Sequence, residues 1–429
     1  MKKLWLAVGA AAVCGALAFV LFRLGRTPTL ETPVQNTVTL PVMIAGGDAS
    51  WSNCVSEIAA LYMKQNPDVK VEVRATSNIE DMDYSKQLLI EEAMGNFDGI
   101  VELMNTHGYA DEGKLLPLPQ TLTDQFREVK VTDGAVYSLP RYFSCRGIVY
   151  NQAVFDRLHL KRPQTYQEFL SLCQSLKSAG VTPLTVGAGD LWHLAQWANA
   201  LYSKDVKAEI PDWMTQRSAG TVHWTDEGPR QMLSDFQDLF ARGYVDVNYV
   251  STTDAGTIEK LTEEKAAMLC SGTWMFSQIL KTSPSFELGW FFLPNDGGEQ
   301  PLVELNDDWQ WGITASCAEE PKVYNAAVDF LAFFYSEEIY PLVLQNMSGF
   351  SAVSQTTAYE TVPIQKEIAA LVDDRGQMEG ETWASGDMPD GFSNQLYPNL
   401  LALAQGEQSV DETAAALDCA WEECFERTK

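Results

Sequence analysis

Val38-Thr39-Leu40-Pro41-Val42-Met43-Ile44 is broken at Gly46-Gly47-Asp48 and followed later by Asn66-Pro67-Asp68-Val69-Lys70-Val71-Glu72-Val73. The first segment is an apolar strand pattern ended by glycines. From about Ser52 the apolar positions Val55, Ile58, Ala59, Tyr62 and Met63 recur at helical spacing and share one face. Asn66-Pro67 stops that helix, because the proline ring disfavours the helical conformation of the residue before it. Val69, Val71 and Val73 then alternate with polar residues, as a half-buried strand does. Strand, helix and strand in that order build open parallel or mixed sheets, so the expected class is α/β.

The same alternation continues downstream. Thr165 with Glu168 reads as a capping box for a helix whose stripe is Phe169, Leu172, Cys173 and Leu176, ended by Gly180. Ser409 with Glu412 repeats the device ahead of Leu417 and Trp421. Ala326 to Tyr340 is apolar enough to predict one helix buried on more than one side. At 429 residues the chain exceeds one ordinary domain and suits two lobes.

Upstream, Met1-Lys2-Lys3 precedes 19 uncharged apolar residues, Leu4 to Phe22, and Arg23 and Arg26 follow. The run is longer than a usual signal-peptide core and just reaches across a bilayer. It predicts either an uncleaved anchor or lipid attachment at Cys14, although Ala11-Ala12-Val13 departs from the usual lipoprotein box. A simple cleaved signal is the third choice, and all three place the bulk of the chain outside the cytoplasmic membrane. Residues 1–26 form this segment, and 27–36, with two prolines and three threonines, read as a tether.

Charge and motifs then narrow the function. Fifty-eight acids against thirty bases, a net charge of −28, repel phosphate backbones, so nucleic acid is not an expected partner. Cys54, Cys145, Cys173, Cys270, Cys317, Cys419 and Cys424 are scattered and odd in number, neither a disulfide framework nor a zinc site. Most read as small buried hydrophobes. His107, His159, His193 and His223 are isolated and lack metal-ligand spacing. No nucleophile elbow, phosphate loop or dinucleotide fingerprint can be read, and no cofactor or metal is implied. A glycosidase needs only two carboxylates, so a secreted glycosidase or lyase using Asp307 and Asp308 or Glu102 stays as the enzyme alternative.

Several ordered segments resemble the extracellular solute-binding family of bacterial ABC sugar importers. They include Asn66-Pro67-Asp68-Val69-Lys70-Val71, Phe97-Asp98-Gly99-Ile100-Val101, Gly113-Lys114-Leu115-Leu116-Pro117-Leu118, Tyr137-Ser138-Leu139-Pro140, Val149-Tyr150-Asn151, Gly272-Thr273-Trp274 and Trp311-Gly312-Ile313. The set covers nearly the whole chain from about residue 37. The resemblance implies a two-lobed periplasmic-binding-protein-like fold with hinge strands between the lobes. The first lobe is then 37–149 with 312–348 and the second 150–311 with 349–429. Crossings are expected near Val149-Tyr150, Trp311-Gly312-Ile313 and Gly349.

Sugars present hydroxyl rims and apolar C–H faces, so a site needs carboxylates or amides in the sugar plane and flat aromatic platforms beside it. Twelve tryptophans exceed what a core of this size requires. Trp274 matches the family's cleft tryptophan. Asp48 and Trp51 occupy the loop after the first strand, where that family's first lobe contacts ligand. Glu102 and Asn105 follow Ile100-Val101 at the carboxyl end of a strand, where open α/β sheets bind small molecules. Tyr142 and Ser144 are placed at the hinge, and Trp192 follows the Gly187/Gly189 turn. Asp307, Asp308 and Trp309 crowd acids and an indole just before the return crossing, although acid pairs are usually only solvated. The resemblance puts Phe392 in the last cleft-lining segment. For each of these, packing or solvation is the competing reading. The expected function is capture of a carbohydrate outside the cell by a monomer without catalytic activity, and its delivery to ABC permease subunits by hinge closure. A sensory sugar-binding protein signalling to a membrane receptor is a further alternative.

Overall fold

The computed structural model describes residues 37–46, 48–75, 81–104, 106–297, 302–307, 309–355, 358–378, 388–389 and 391–427. The expected membrane segment, tether, Asn105 and Asp308 lie outside the described residues. Among the described residues no helix is long and apolar enough to cross a membrane.

Among the described residues eleven strands follow in chain order: β1 (Val38–Ile44), β2 (Val69–Ala75), β3 (Ile100–Leu103), β4 (Ser138–Pro140), β5 (Arg146–Asn151), β6 (Thr182–Thr185), β7 (Ala266–Gly272), β8 (Leu288–Phe291), β9 (Glu304–Leu305), β10 (Gln310–Ile313) and β11 (Gln377–Met378). The opening unit is as its pattern predicts: β1 and β2 pair in parallel from Val38 opposite Val69, with helix Ala49–Gln65 between them. That helix begins earlier than the apolar stripe suggests because the Asp48 carboxylate accepts from the Ser50 and Trp51 amides.

The first sheet has the order β2-β1-β3-β10-β4 and the second β6-β7-β5-β8, which gives two α/β lobes. The Ser409 capping box closes, and at Thr165 the cap bond forms while Glu168 reaches one residue further back, to Gln164. Thr165 Oγ1 accepts from Glu168 N at 3.1 Å while Glu168 receives Gln164 N at 2.8 Å. Ser409 N and Oγ reach Glu412 at 2.9 and 2.8 Å. The apolar run from Ala326 makes two helices rather than one, Pro321–Phe334 and Tyr340–Met347, parted by Tyr335-Ser336-Glu337-Glu338-Ile339. Six of the seven described cysteines are buried thiols, and Cys419 is exposed.

The crossings differ from the expected ones. Val149 and Tyr150 lie inside β5 of the second sheet and Trp311-Gly312-Ile313 inside β10 of the first. The chain therefore leaves the first lobe between Pro140 and Arg146 and returns between Phe291 and Gln310. Phe143 exchanges backbone bonds with Phe350 at 2.8 and 2.7 Å, and Ser144 with Asn306 at 3.0 and 2.8 Å. These two exchanges make a short ribbon between the two sheets. Beyond Gly349 the chain stays with the first lobe, since Arg127 N donates to Ala352 O and Ser354 N to Gln125 O. Its third crossing thus falls after Ser354. Helix Tyr340–Met347 packs between helix Ala49–Gln65 and helix Met275–Thr282, so one apolar core runs through the hinge side of both lobes.

Candidate functional site

The carboxyl ends of β1 and β3 lie side by side in the first lobe, and Glu102 projects there from β3. It is fully buried, and its oxygens are taken by internal donors. Oε2 accepts from Ala45 N at 2.9 Å and Trp51 Nε1 at 3.2 Å, and Oε1 pairs with Arg141. Burial raises the Glu102 carboxyl above its ordinary range, against the pull of Arg141, the Ala45 amide and the Trp51 indole. A carboxylate so occupied has no surface for a ligand. The expected contact by Glu102 is corrected to a support beneath the site.

Trp51 is corrected in the same way. Its indole is 1% exposed, packed against Trp311, Tyr142 and Phe334, and covered by the Arg141 guanidinium 4.3 Å from the ring. Arg141, which the sequence did not single out, is the centre of the arrangement. Its guanidinium also lies 5.3 Å from the Tyr142 ring and 5.4 Å from the Trp309 ring. Such an aromatic surround holds a cation through the ring quadrupoles. Two buried tyrosines set its backbone: Tyr335 donates to Pro140 O at 2.8 Å and Tyr340 to Arg141 O at 3.0 Å, while Ala352 N donates to Tyr340 Oη at 3.1 Å.

Around this centre the remaining residues divide. Asp48 is half-buried and its carboxyl is raised first by burial, opposed by the Ser50 and Trp51 amides and Arg141, and raised further by Asp254 of the second lobe. The two acids thus feel each other across the lobes, close to where Lys281 Nζ meets Ser50 Oγ at 3.2 Å. Tyr142 is buried against Gly349, where an added Cβ would sit 2.7 Å from the ring. Ser144 exchanges backbone bonds with Asn306 in the segment between the two sheets. Trp309 is half-buried and meets Tyr84 edge-on. Asp307 is buried, accepts from Gln310 Nε2 at 2.8 Å and pairs with Lys130 at 3.4 Å.

In the second lobe Trp274 stands at the start of helix Met275–Thr282, half-buried. Its indole lies over Gly272, where a Cβ would be 2.0 Å from the ring, so only glycine allows this pose. Thr273 N donates to Cys145 O at 3.0 Å, which ties this turn to the first crossing. Trp192, also half-buried, stacks on His193 with centroids 3.9 Å apart, and His193 Nε2 is 3.0 Å from Asp254 Oδ1. Phe392 is a correction. It is fully buried, stacked on Trp224 and edge-on to Trp421, inside the second-lobe core. Among the described residues Trp309, Asp48 and Arg141 therefore lie together in the first lobe, while Trp274 and Trp192 stand half-buried in the second.

Comparison with known proteins adds the following. The model of the bacterial extracellular solute-binding protein family matches residues 48–340. The chain is similar to a multiple sugar-binding protein of Streptococcus mutans, 26% identical over 37% of this chain and 38% of that protein. It is similar to the melibiose/raffinose/stachyose-binding protein MelE of Bacillus subtilis, 20% identical over 65% of each. It thus spans less than two thirds of the length of both relatives. Among solved structures, a chitin oligosaccharide binding protein superposes with a TM-score of 0.80 at 22% identity, over 91% of this chain and 100% of that one. This likeness shows the two-lobed fold.

Proposed function

The chain belongs to the bacterial extracellular solute-binding protein family, and from that premise we propose that it is an extracytoplasmic carbohydrate-binding protein that delivers a sugar or oligosaccharide to an ABC permease. The observation that carries this reading is the grouping of Arg141, Asp48 and Trp309 at the ends of the first-lobe strands, next to a crossing that is hydrogen-bonded to the Trp274 turn. Indole faces suit the C–H faces of a pyranose, and Asp48 and Arg141 suit its hydroxyls. The names of the sugar-binding relatives support the same ligand class.

In this reading ligand contacts residues from both lobes only when they close, and its differential affinity shifts the population toward the closed form. The closed form then docks on the permease. The protein works as a monomer without cofactor, and no bond is made or broken. Its N-terminal segment holds it at the outer face of the cytoplasmic membrane, by an anchor or by lipid at Cys14.

A thermal-shift panel of mono- and oligosaccharides tests the proposal, since a ligand that binds only the folded form raises the melting temperature. At least one saccharide is expected to do so and to be recovered uncut. A panel with no shift removes the carbohydrate reading, and recovery of cleaved products replaces it with the glycosidase.

A further inference from the structure

Arg141 is the one cation that the described residues place inside the aromatic group, and its bonding is uneven. Nη1 pairs with Glu102, and the backbone amide donates to Trp309 O at 3.1 Å. Among the described residues nothing accepts from Nε or Nη2. The residue is 9% exposed, so it keeps a small solvent-accessible surface. A guanidinium carries five N–H donors in a fixed fork, and here only Nη1 is bonded, to Glu102.

The surrounding charge is acidic. Glu102 neutralises Arg141 from beneath, and Asp48 and Asp254 add two carboxylates from the two lobes. Asp190 supports Asp254 by accepting its amide. The other nearby cations are committed or peripheral: Lys130 pairs with Asp307, and Lys281 lies beside Ser50. An approaching carboxylate would meet a guanidinium whose charge is already balanced by Glu102 and at least two acids with the same sign as itself. Like charges brought together in a partly desolvated site repel, whereas hydroxyl and carbonyl oxygens accept from a guanidinium without that penalty.

We infer that Arg141 is a ligand contact, and that with its charge balanced by Glu102 it reads hydroxyl or carbonyl oxygens of an uncharged saccharide and rejects uronic acids. The inference rests on the carbohydrate reading above and adds the substrate's charge class. Arg141 donates through Nε and Nη2, Asp48 accepts from a neighbouring hydroxyl, and Glu102 sets the sign of selection without touching the ligand.

The experiment titrates the full chain calorimetrically with matched oligosaccharides. Galactan and mannan oligomers are set beside galacturonate and mannuronate oligomers of equal length, and N-acetylglucosamine oligomers are added as a second neutral series. The neutral member that binds is expected to exceed its uronate partner by at least tenfold at low salt, with the gap narrowing as salt screens the acids. Arg141→Lys keeps the charge and loses the fork, so neutral affinity should fall at least tenfold while thermal unfolding stays cooperative. Glu102→Gln leaves Arg141 with unbalanced charge, so the ratio of uronate to neutral affinity should rise at least tenfold. Should either variant fail to fold, the discrimination of the unaltered chain and its salt dependence decide. Equal or tighter uronate binding overturns the inference and leaves the carbohydrate reading standing. Undiminished neutral affinity in Arg141→Lys also overturns it, and absence of binding to every oligomer overturns both.

Discussion

Trp51 Nε1 donates to Glu102 Oε2 at 3.2 Å, and this buried bond turns two residues of ligand-binding type into the frame of the site. Trp51→Phe keeps most of the ring packing and deletes the donor, which should cost about 1–3 kcal/mol for a buried acceptor losing a partner. Glu102→Leu leaves the Arg141 charge without its partner and should cost more, about 3–5 kcal/mol. Urea unfolding of the two variants tests the ranking. A Glu102→Leu protein as stable as the unaltered chain would mean that the pair is not held as described.

Phe392 supplies a contrast between core and site. Its ring is enclosed by Trp224 and Trp421, so Phe392→Ala opens a cavity and should lower stability by about 3–5 kcal/mol. Affinity for the best saccharide, measured under conditions where the variant is folded, should stay within about threefold. A large loss of affinity at full stability would return Phe392 to the cleft.

A buried polar group in the second lobe gives a pH signature. The Asp205 carboxyl is pushed up to about 7 by burial, against its bond and attraction to Lys204, and Asp235 and Asp296 push it further. Its Oδ2 has no hydrogen-bond partner among the described residues. In the unfolded chain the group titrates near 3.8, so between about pH 4 and 7 the folded form holds more protons. Stability from this group is fully present below the lower value and is lost as pH rises through the upper one. The slope reaches at most about 1.4 kcal/mol per pH unit. Asp205→Asn removes the titration, so the urea midpoint of the variant should gain on that of the unaltered chain from pH 4.5 to 7.5. Parallel pH profiles would show that Asp205 stays ionised throughout.

These features were unequally legible in the sequence. Capping boxes at Thr165 and Ser409 could be read because each uses residues three apart. The opening β-α-β unit was equally plain, since its periodicities are local. Arg141 could not be found this way. Its meaning depends on Glu102, 39 residues upstream, and on Trp309 from another strand connection, which only the folded sheet brings together. Phe392 failed for the converse reason: one aromatic residue near a helix start looks the same in a cleft and in a core, and the indoles that bury it come from remote segments. The crossings were displaced because an apolar strand such as Val149-Tyr150 fits either sheet, and pairing partners alone assign it to the second.

Trp274 makes the most direct test of the site because two changes should reach the same result by different routes. Its indole is half-buried at a helix start, so Trp274→Ala removes a platform with little loss of core and should weaken saccharide binding at least tenfold, ~1.4 kcal/mol. Gly272→Ala leaves the tryptophan in place, yet its methyl would stand 2.0 Å from the ring, and the indole must swing away. If the pose of that ring is what the ligand meets, Gly272→Ala alone should also lose about tenfold, and the double variant should lose no more than Trp274→Ala. Residues that act through one contact are non-additive in this way. Losses that add in calorimetry would show that Gly272 and Trp274 affect binding independently, and unchanged affinity in Trp274→Ala would remove this indole from the site.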